Sequence, residues 1–163
     1  MKAIVIGDTH MPKKAEGLSK RLVSELGQAD LIIHTGDWSS LDVYEELSRF
    51  AEVKGVRGNV DNVEIVERFP KKLLLTVKGF RIGVIHGDGT TGTTEKRALK
   101  AFEDDDVDVV LFGHSHIPYL RFHQKTLLIN PGSPTDKRKV PVNSFVVLTI
   151  EETIETSFKF FHS

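Results

Sequence analysis

Met1-Lys2-Ala3-Ile4-Val5-Ile6-Gly7-Asp8-Thr9-His10 opens the chain, and this stretch decides the fold. Ala3–Ile6 is an apolar run without polar alternation, the pattern of a strand buried on both faces. It stops at a glycine and is followed at once by an aspartate and a histidine. A buried strand that delivers such side chains beyond its carboxyl end belongs to the α/β sheets that bind their ligands there. Leu18, Leu22, Val23 and Leu26 then recur at helical spacing, so a helix follows the strand.

The same layout continues along the chain. Leu31–Ile33 reads as a second strand, Leu41, Tyr44 and Leu47 mark a second helix, and Val53–Val56 reads as a third strand. Leu73–Val77 and Arg81–Ile85 form a hairpin across Lys78-Gly79. Thr94–Phe102 is helical, with Ala98, Ala101 and Phe102 on its apolar side, and Val107–Phe112 is another buried strand. After Pro118 the pattern changes. Tyr119–His123 pairs with Leu127–Ile129, and Phe145–Ile150 pairs with Ile154–Phe160. Alternating strands and helices followed by hairpins point to a mixed α/β fold, with two sheets face to face and helices outside. No linker, repeat or low-complexity segment interrupts residues 1–163, so one domain is expected.

Composition narrows the functions. With 22 basic and 23 acidic residues, the net charge gives no electrostatic reason to expect nucleic acid or an anionic membrane as partner. There is no cysteine. Disulfides and thiolate metal sites are excluded, and any metal must be held by nitrogen and oxygen. No run approaches the ~20 apolar residues of a membrane span. The first residues turn polar too quickly for a signal peptide, so a cytoplasmic location is expected.

Chemistry is concentrated at the strand ends. The first strand leads into Asp8-Thr9-His10, the second into His34-Thr35-Gly36-Asp37, and the third into Gly58-Asn59-Val60-Asp61. The hairpin leads into His86-Gly87-Asp88, and the strand over 107–112 into Gly113-His114-Ser115-His116. From these segments Asp8, His10, Asp37, Asn59, His86, His114 and His116 supply four imidazoles, two carboxylates and an amide oxygen. Seven donors are too many for one ion but suit two ions that share a carboxylate. Mixed imidazole and carboxylate donors favour a transition-metal pair, Mn²⁺ first and Ni²⁺, Zn²⁺ or Fe as alternatives, over Ca²⁺ or Mg²⁺ alone. Two such ions, roughly 3.5–4 Å apart, form the clamp used for in-line displacement at phosphorus. Two divalent charges offset by two carboxylates and a hydroxide leave the site near +1, a match for a phosphodiester monoanion.

Together, Asp8-Thr9-His10, Gly36-Asp37, Gly58-Asn59-Val60-Asp61, His86-Gly87 and Gly113-His114-Ser115-His116 resemble the motif series of the calcineurin-like metallophosphoesterases. The order and spacing hold across nearly the whole chain. The short length and Asn130-Pro131-Gly132-Ser133 resemble the small bacterial and archaeal phosphodiesterase branch. The resemblance implies a four-layer α/β/β/α sandwich. It also implies Asp8, His10 and His116 on one metal, Asn59, His86 and His114 on the other, and Asp37 between them. The implied activity is hydrolysis of a small phosphate ester, a phosphodiester first, by in-line attack of a hydroxide shared by the ions. Asn59 is the expected catalytic contact to a phosphoryl oxygen. A phosphomonoesterase is one alternative. A non-catalytic scaffold is another, since the fold also serves a retromer subunit with a decayed metal site. A homo-oligomer stays open.

One position departs from the family. Many members carry a histidine after the motif asparagine, which protonates the leaving group. This chain has Val60, which has no proton to give, and Asp61 loses the histidine it would orient. His34, inside an apolar strand, is expected to be a core histidine, and His123 and His162 to lie on the surface. Trp38 reads equally as a pocket rim and as packing. Gly87–Thr94 lacks the lysine of a phosphate loop and reads as a turn with a threonine helix cap. The acidic run Glu103–Asp108 and the basic run Lys137-Arg138-Lys139 read as solvated loops.

Overall fold

A computed structural model describes residues 1–163. The apolar run at the N-terminus becomes β1 (Lys2–Ile6), and every residue from Ala3 to Ile6 is fully buried. Strand alternation divides these side chains between two layers. Ala3 and Val5 point into a core shared by two sheets, whereas Ile4 and Ile6 pack beneath helices.

The first sheet has the order β10-β9-β1-β2-β3. Here β2 is Leu31–His34, β3 is Glu52–Gly55, β9 is Asn143–Ile150 and β10 is Ile154–Phe161. β1, β2 and β3 run parallel, β9 joins antiparallel to β1, and β10 joins antiparallel to β9. The second sheet has the order β4-β5-β6-β8-β7. Its strands are β4 (Lys72–Val77), β5 (Phe80–Ile85), β6 (Val109–Leu111), β7 (Tyr119–His123) and β8 (Thr126–Asn130). β5, β6 and β8 are parallel, and each outer strand joins by a hairpin. At the first hairpin Lys78 and Gly79 both take positive φ, 51° and 86°. That geometry matches the twist of paired strands.

The helices cover the outer faces. α1 (Lys20–Leu26), α2 (Leu41–Leu47) and α3 (Val63–Arg68) lie over the first sheet and bury Leu22, Leu26, Val43, Leu47 and Ile65 against Ile4, Ile6 and Ile32. α4 (Thr94–Ala101) lies over the second sheet and joins Ala98 to a cluster with Phe102, Val110, Phe112 and Leu128. Thr93 caps α4 by accepting the Lys96 N–H, so the threonine cap expected from the sequence forms. The layers are α/β/β/α, as expected.

α3 was not expected. It is six residues long and buries only Ile65, so no apolar stripe announces it. Asn62 caps it, accepting the Ile65 N–H at 3.1 Å.

Candidate metal centre

β1, β2, β5 and β6 run in parallel through the two sheets, and the segments that follow them meet at one place. The backbone there is strained. Asp8, His10, Asp37, His114 and His116 have φ of 52°, 45°, 59°, 68° and 61°, five of the nine non-glycine residues with positive φ. Asp and His tolerate the left-handed region better than most side chains. Such strain persists only where the surroundings over-determine it.

The surroundings are dense. A Cβ on Gly58 would stand 2.0 Å from Asp37 Oδ1, and one on Gly113 would stand 2.8 Å from Asp8 Oδ2. Only glycine lets these backbones come so near the carboxylates. The Asn130-Pro131-Gly132-Ser133 segment braces the loops from outside. Asn130 Nδ2 donates to the Gly113 carbonyl at 2.9 Å, and Ser133 Oγ donates to the Asp8 carbonyl at 2.8 Å. Thr135 Oγ1 donates to the Thr9 carbonyl at 2.6 Å.

Two groups of donors result. Asp8, His10 and His116 form one, and Asp37, His86 and His114 form the other, with the donor atoms of each group within 4.8 Å of one another. Asp37 Oδ2 lies 3.1 Å from His86 Nε2 and 3.6 Å from His10 Nε2, so it stands between the groups. Asn59 Oδ1 is 3.1 Å from His86 Nε2. All seven residues selected from the sequence are therefore brought together.

Two imidazoles are oriented by carbonyls. His86 Nδ1 donates to the Thr35 carbonyl at 2.9 Å, and His116 Nδ1 donates to the Asp136 carbonyl at 2.5 Å. A carbonyl only accepts, so the hydrogen sits on Nδ1 and Nε2 is turned into the site, the usual arrangement for a metal-binding histidine. Burial lowers the His116 pKa to about 4, and burial also lowers those of His10 and His114, so these rings are neutral at pH 7. Burial raises the Asp8 carboxyl to about 7. Burial pulls His86 down, but its hydrogen bond to Asp37 and the charges of Asp8 and Asp37 outweigh this and raise it to about 9.

This donor set fits divalent transition-metal ions. It offers nitrogen and oxygen without thiolate. Asp8 Oδ2 is buried and has no hydrogen-bond partner in the protein, a costly arrangement for a carboxylate without a cation beside it.

Sequence reasoning missed two supports. Asp61 Oδ1 accepts from Ser39 N at 2.8 Å, and its Oδ2 accepts from Gly58 N at 2.6 Å and Asp37 N at 3.1 Å. It thus ties Asp37 to the segment that carries Asn59. Burial raises its carboxyl above the ordinary range, although the Gly58 and Ser39 N–H groups act the other way. Arg97 on α4 donates to the Gly87, Thr91 and Gly92 carbonyls at 2.9, 3.1 and 3.0 Å, which fixes the loop after His86. An arginine four residues into a helix carries no sequence signal for this task.

Other expectations are resolved in turn. Trp38 is fully buried, stacks on His34 at 3.7 Å and on Phe69 at 4.4 Å, and donates to the Val56 carbonyl at 2.8 Å. It packs and does not rim the pocket. His34 is a core histidine, as expected. Gly36 N–H donates to its Nδ1 at 3.1 Å, so its Nε2 carries the hydrogen and donates to Thr9 Oγ1 at 3.1 Å. His123 pairs with Thr126 at the hairpin end of β7, whereas the other end of that ladder, Tyr119 with Asn130, adjoins the site. It is therefore at the wrong end to protonate a leaving group. Val60 is 52 % exposed, and only its backbone N–H, bonded to Asp37 Oδ1 at 3.1 Å, serves the site.

The calcineurin-like phosphoesterase superfamily domain matches residues 1–153. A probable metallophosphoesterase of Methanocaldococcus jannaschii is 36% identical over 152 residues, 93% of this chain and 77% of the relative. The chain belongs to the calcineurin-like phosphoesterase superfamily. Its fold is similar to Vps29 of Chaetomium thermophilum, with a TM-score of 0.83 at 21% identity over 99% of this chain and 97% of the other. It is also similar to a structurally characterised archaeal phosphodiesterase, with a TM-score of 0.76 at 20% identity over 99% of this chain and 100% of the other. Membership supports a hydrolase, and the family implies divalent metal ions, for which the two donor groups are candidate ligands. No helix of this superfamily member is long and apolar enough to cross a membrane.

Proposed function

We propose that this chain is a two-metal phosphodiesterase acting on a small phosphate ester, with Mn²⁺ the first metal to supply. Asp8, His10 and His116 would hold one ion, Asn59, His86 and His114 the other, and Asp37 would touch both. The observation that carries this is that Asp37 Oδ2, a member of one three-donor group, lies within 3.6 Å of a histidine in each group. When bound, such a pair activates the attacking water and stabilises the charge that develops on phosphoryl oxygens.

The chain's own residues do the positioning. His86 and His116 are locked by carbonyls with Nε2 inward. Asn59 presents its amide oxygen at the exposed side of the site, where its NH₂ can reach a phosphoryl oxygen. Asp37 is held through its peptide by Asp61 and through its carboxylate by Val60 N–H. A diester is favoured over a monoester by charge: the two carboxylates leave little net positive charge for a second anionic oxygen. The archaeal phosphodiesterase of the same fold is consistent with that choice.

A second reading is a scaffold that uses the site's mouth for a partner. Val60 at 52 % and Ile117 at 55 % exposure favour it, because they directly follow Asn59 and His116 and leave apolar surface beside the site. The experiment is to load the protein with Mn²⁺, Ni²⁺ or Zn²⁺, desalt it, measure bound metal, and assay aryl diesters and monoesters. Two ions per chain with metal-dependent diester turnover is the expected result. Metal near zero with no turnover rejects the enzyme reading.

A further inference from the structure

β10 is left with one side unpaired. It is the outer strand of the first sheet, and only β9 pairs with it. Outside that ladder no backbone hydrogen bond involves Ile154–Phe161, so the N–H and C=O of every second residue point outward without a protein partner. At eight residues β10 is the longest of the four edge strands, against four in β3, six in β4 and five in β7. Its register with β9 runs from Ile154 to Phe161 without a bulge, and it contains no proline, so two of the devices that blunt a free edge are missing.

Register assigns the side chains to faces. Val147 and Phe145, opposite Ser157 and Lys159, belong to the core beneath the helices, so Glu155, Ser157 and Lys159 lie on the outer face. Val146 and Leu148, opposite Phe158 and Thr156, belong to the core between the sheets, so Ile154, Thr156, Phe158 and Phe160 form a row on the inner face. That row is incompletely covered: Phe158 is half-buried, and Phe160, stacked on it at 5.7 Å, is 56 % exposed. About Ser157 the strand complements its own reverse. Glu155 lies two positions before it and Lys159 two after, Thr156 and Phe158 flank it, and Ile154 and Phe160 stand three away on either side.

We propose that β10 is the interface between two copies of this chain, paired antiparallel about a two-fold axis at Ser157. An axis normal to the sheet keeps each side chain on its own face, so it must pass beside one residue rather than between two. Centred on Ser157, Glu155 faces Lys159 of the second copy, and the pair occurs twice. Thr156 faces Phe158 of the second copy, and Ile154 faces Phe160. Opposite charges and aromatic–β-branched pairs are the combinations that stabilise neighbouring strands. Moving the centre to Thr156 or Phe158 sets Glu155 against Ser157 or Phe161 and loses both charge pairs. β7 fits itself worse, because its central register sets Arg121 against Arg121. β10 runs in the direction of β1, since each is antiparallel to β9. The two metal centres therefore open at opposite ends of the dimer, and neither is covered by the pairing.

Sedimentation velocity of the native protein should show a species of twice the 18.3 kDa chain mass that dissociates on dilution. Glu155→Lys and Lys159→Glu each set like charges opposite one another at two places and should weaken the dimer about tenfold, whereas Glu155→Lys/Lys159→Glu should restore it. The chain has no cysteine, so Ser157→Cys places a single thiol beside its own symmetry mate. Opposite residues of an antiparallel pair have Cα atoms about 4.5–5.5 Å apart, within reach of a disulfide, so copper-phenanthroline oxidation should give a covalent dimer. Thr153→Cys lies eight positions out of register with its mate, roughly 27 Å away, and should stay uncrosslinked. A monomer at millimolar concentration overturns the proposal. A dimer that ignores both charge reversals, a double swap as weak as the single variants, or crosslinking through Thr153→Cys as readily as through Ser157→Cys places the contact elsewhere and overturns it as well.

Discussion

Asp61→Ala removes the acceptor of three backbone N–H groups at once, those of Ser39, Gly58 and Asp37. A hydrogen bond to a charged group contributes about 1.5–3 kcal/mol. Asp61 is only half-buried, so water recovers part of each loss. Taking about 1 kcal/mol per bond gives ~3 kcal/mol in all, and in a chain of this size that lowers Tm by about 6–12 °C. The loss is local as well as global, because these N–H groups belong to the residue between the donor groups and to the turn that carries Asn59. Residues that orient metal ligands are typically worth 10–100-fold in affinity, so Mn²⁺ binding should weaken by about that factor. Asp61→Asn keeps one acceptor oxygen and should fall between the alanine variant and the native protein. Thermal melts of metal-free protein and calorimetric Mn²⁺ titrations measure the two effects separately. A Tm within about 2 °C of native and an unchanged Mn²⁺ affinity for Asp61→Ala would refute the assignment of Asp61 as the tie between these loops.

Asp37→Ala should reduce kcat/KM to background and lower bound metal below that of any single histidine variant; two ions retained with activity would remove Asp37 from its place between the groups. Val60→His should raise rates for alkyl diesters by up to ~10²-fold while changing aryl diesters little, since general acid catalysis matters most for poor leaving groups; a native enzyme already insensitive to leaving-group pKa, in a graded ester series, contradicts this. Burial holds His34 well below its ordinary pKa of 6.5, so the fold resists its protonation. Its contribution to stability is present above pH 6.5 and is lost as pH falls below that value. The stability difference between the native protein and His34→Asn, from urea melts, should therefore narrow from pH 7.5 to pH 5, and a constant difference would count against it.

Much of this molecule was legible because its chemistry follows its strands. Ala3–Ile6, Leu31–Ile33 and Val109–Leu111 are continuous apolar runs that each stop at a polar, ligand-rich segment, and the structure brings those segments together. The hairpins declared themselves by alternation and by Lys78-Gly79. Elements that do little burying were not legible. α3 contributes one core side chain, Ile65, and its cap Asn62 is indistinguishable in sequence from a turn residue. Trp38 could not be placed from its neighbours, because one of the two rings it stacks on is Phe69, thirty-one positions away and joined only by folding. Asp61 and Arg97 act through backbone groups. Their partners are carbonyls and N–H groups, which every residue has, so no pattern of side chains marks them.

The left-handed backbone at Asp8, His10, Asp37, His114 and His116 sets the rules by which this centre can change. The conformation decides where each side chain points, and valine, isoleucine or threonine would strain it further. Asparagine tolerates it. A carboxylate can therefore become an amide here with little effect on the loops, while the charge that holds a cation is lost. Asn130, Ser133 and Thr135, which carry the loops from behind, have no stake in that exchange. Descendants of such a chain can fall silent as catalysts one aspartate at a time and still display the same sculpted mouth to whatever docks there.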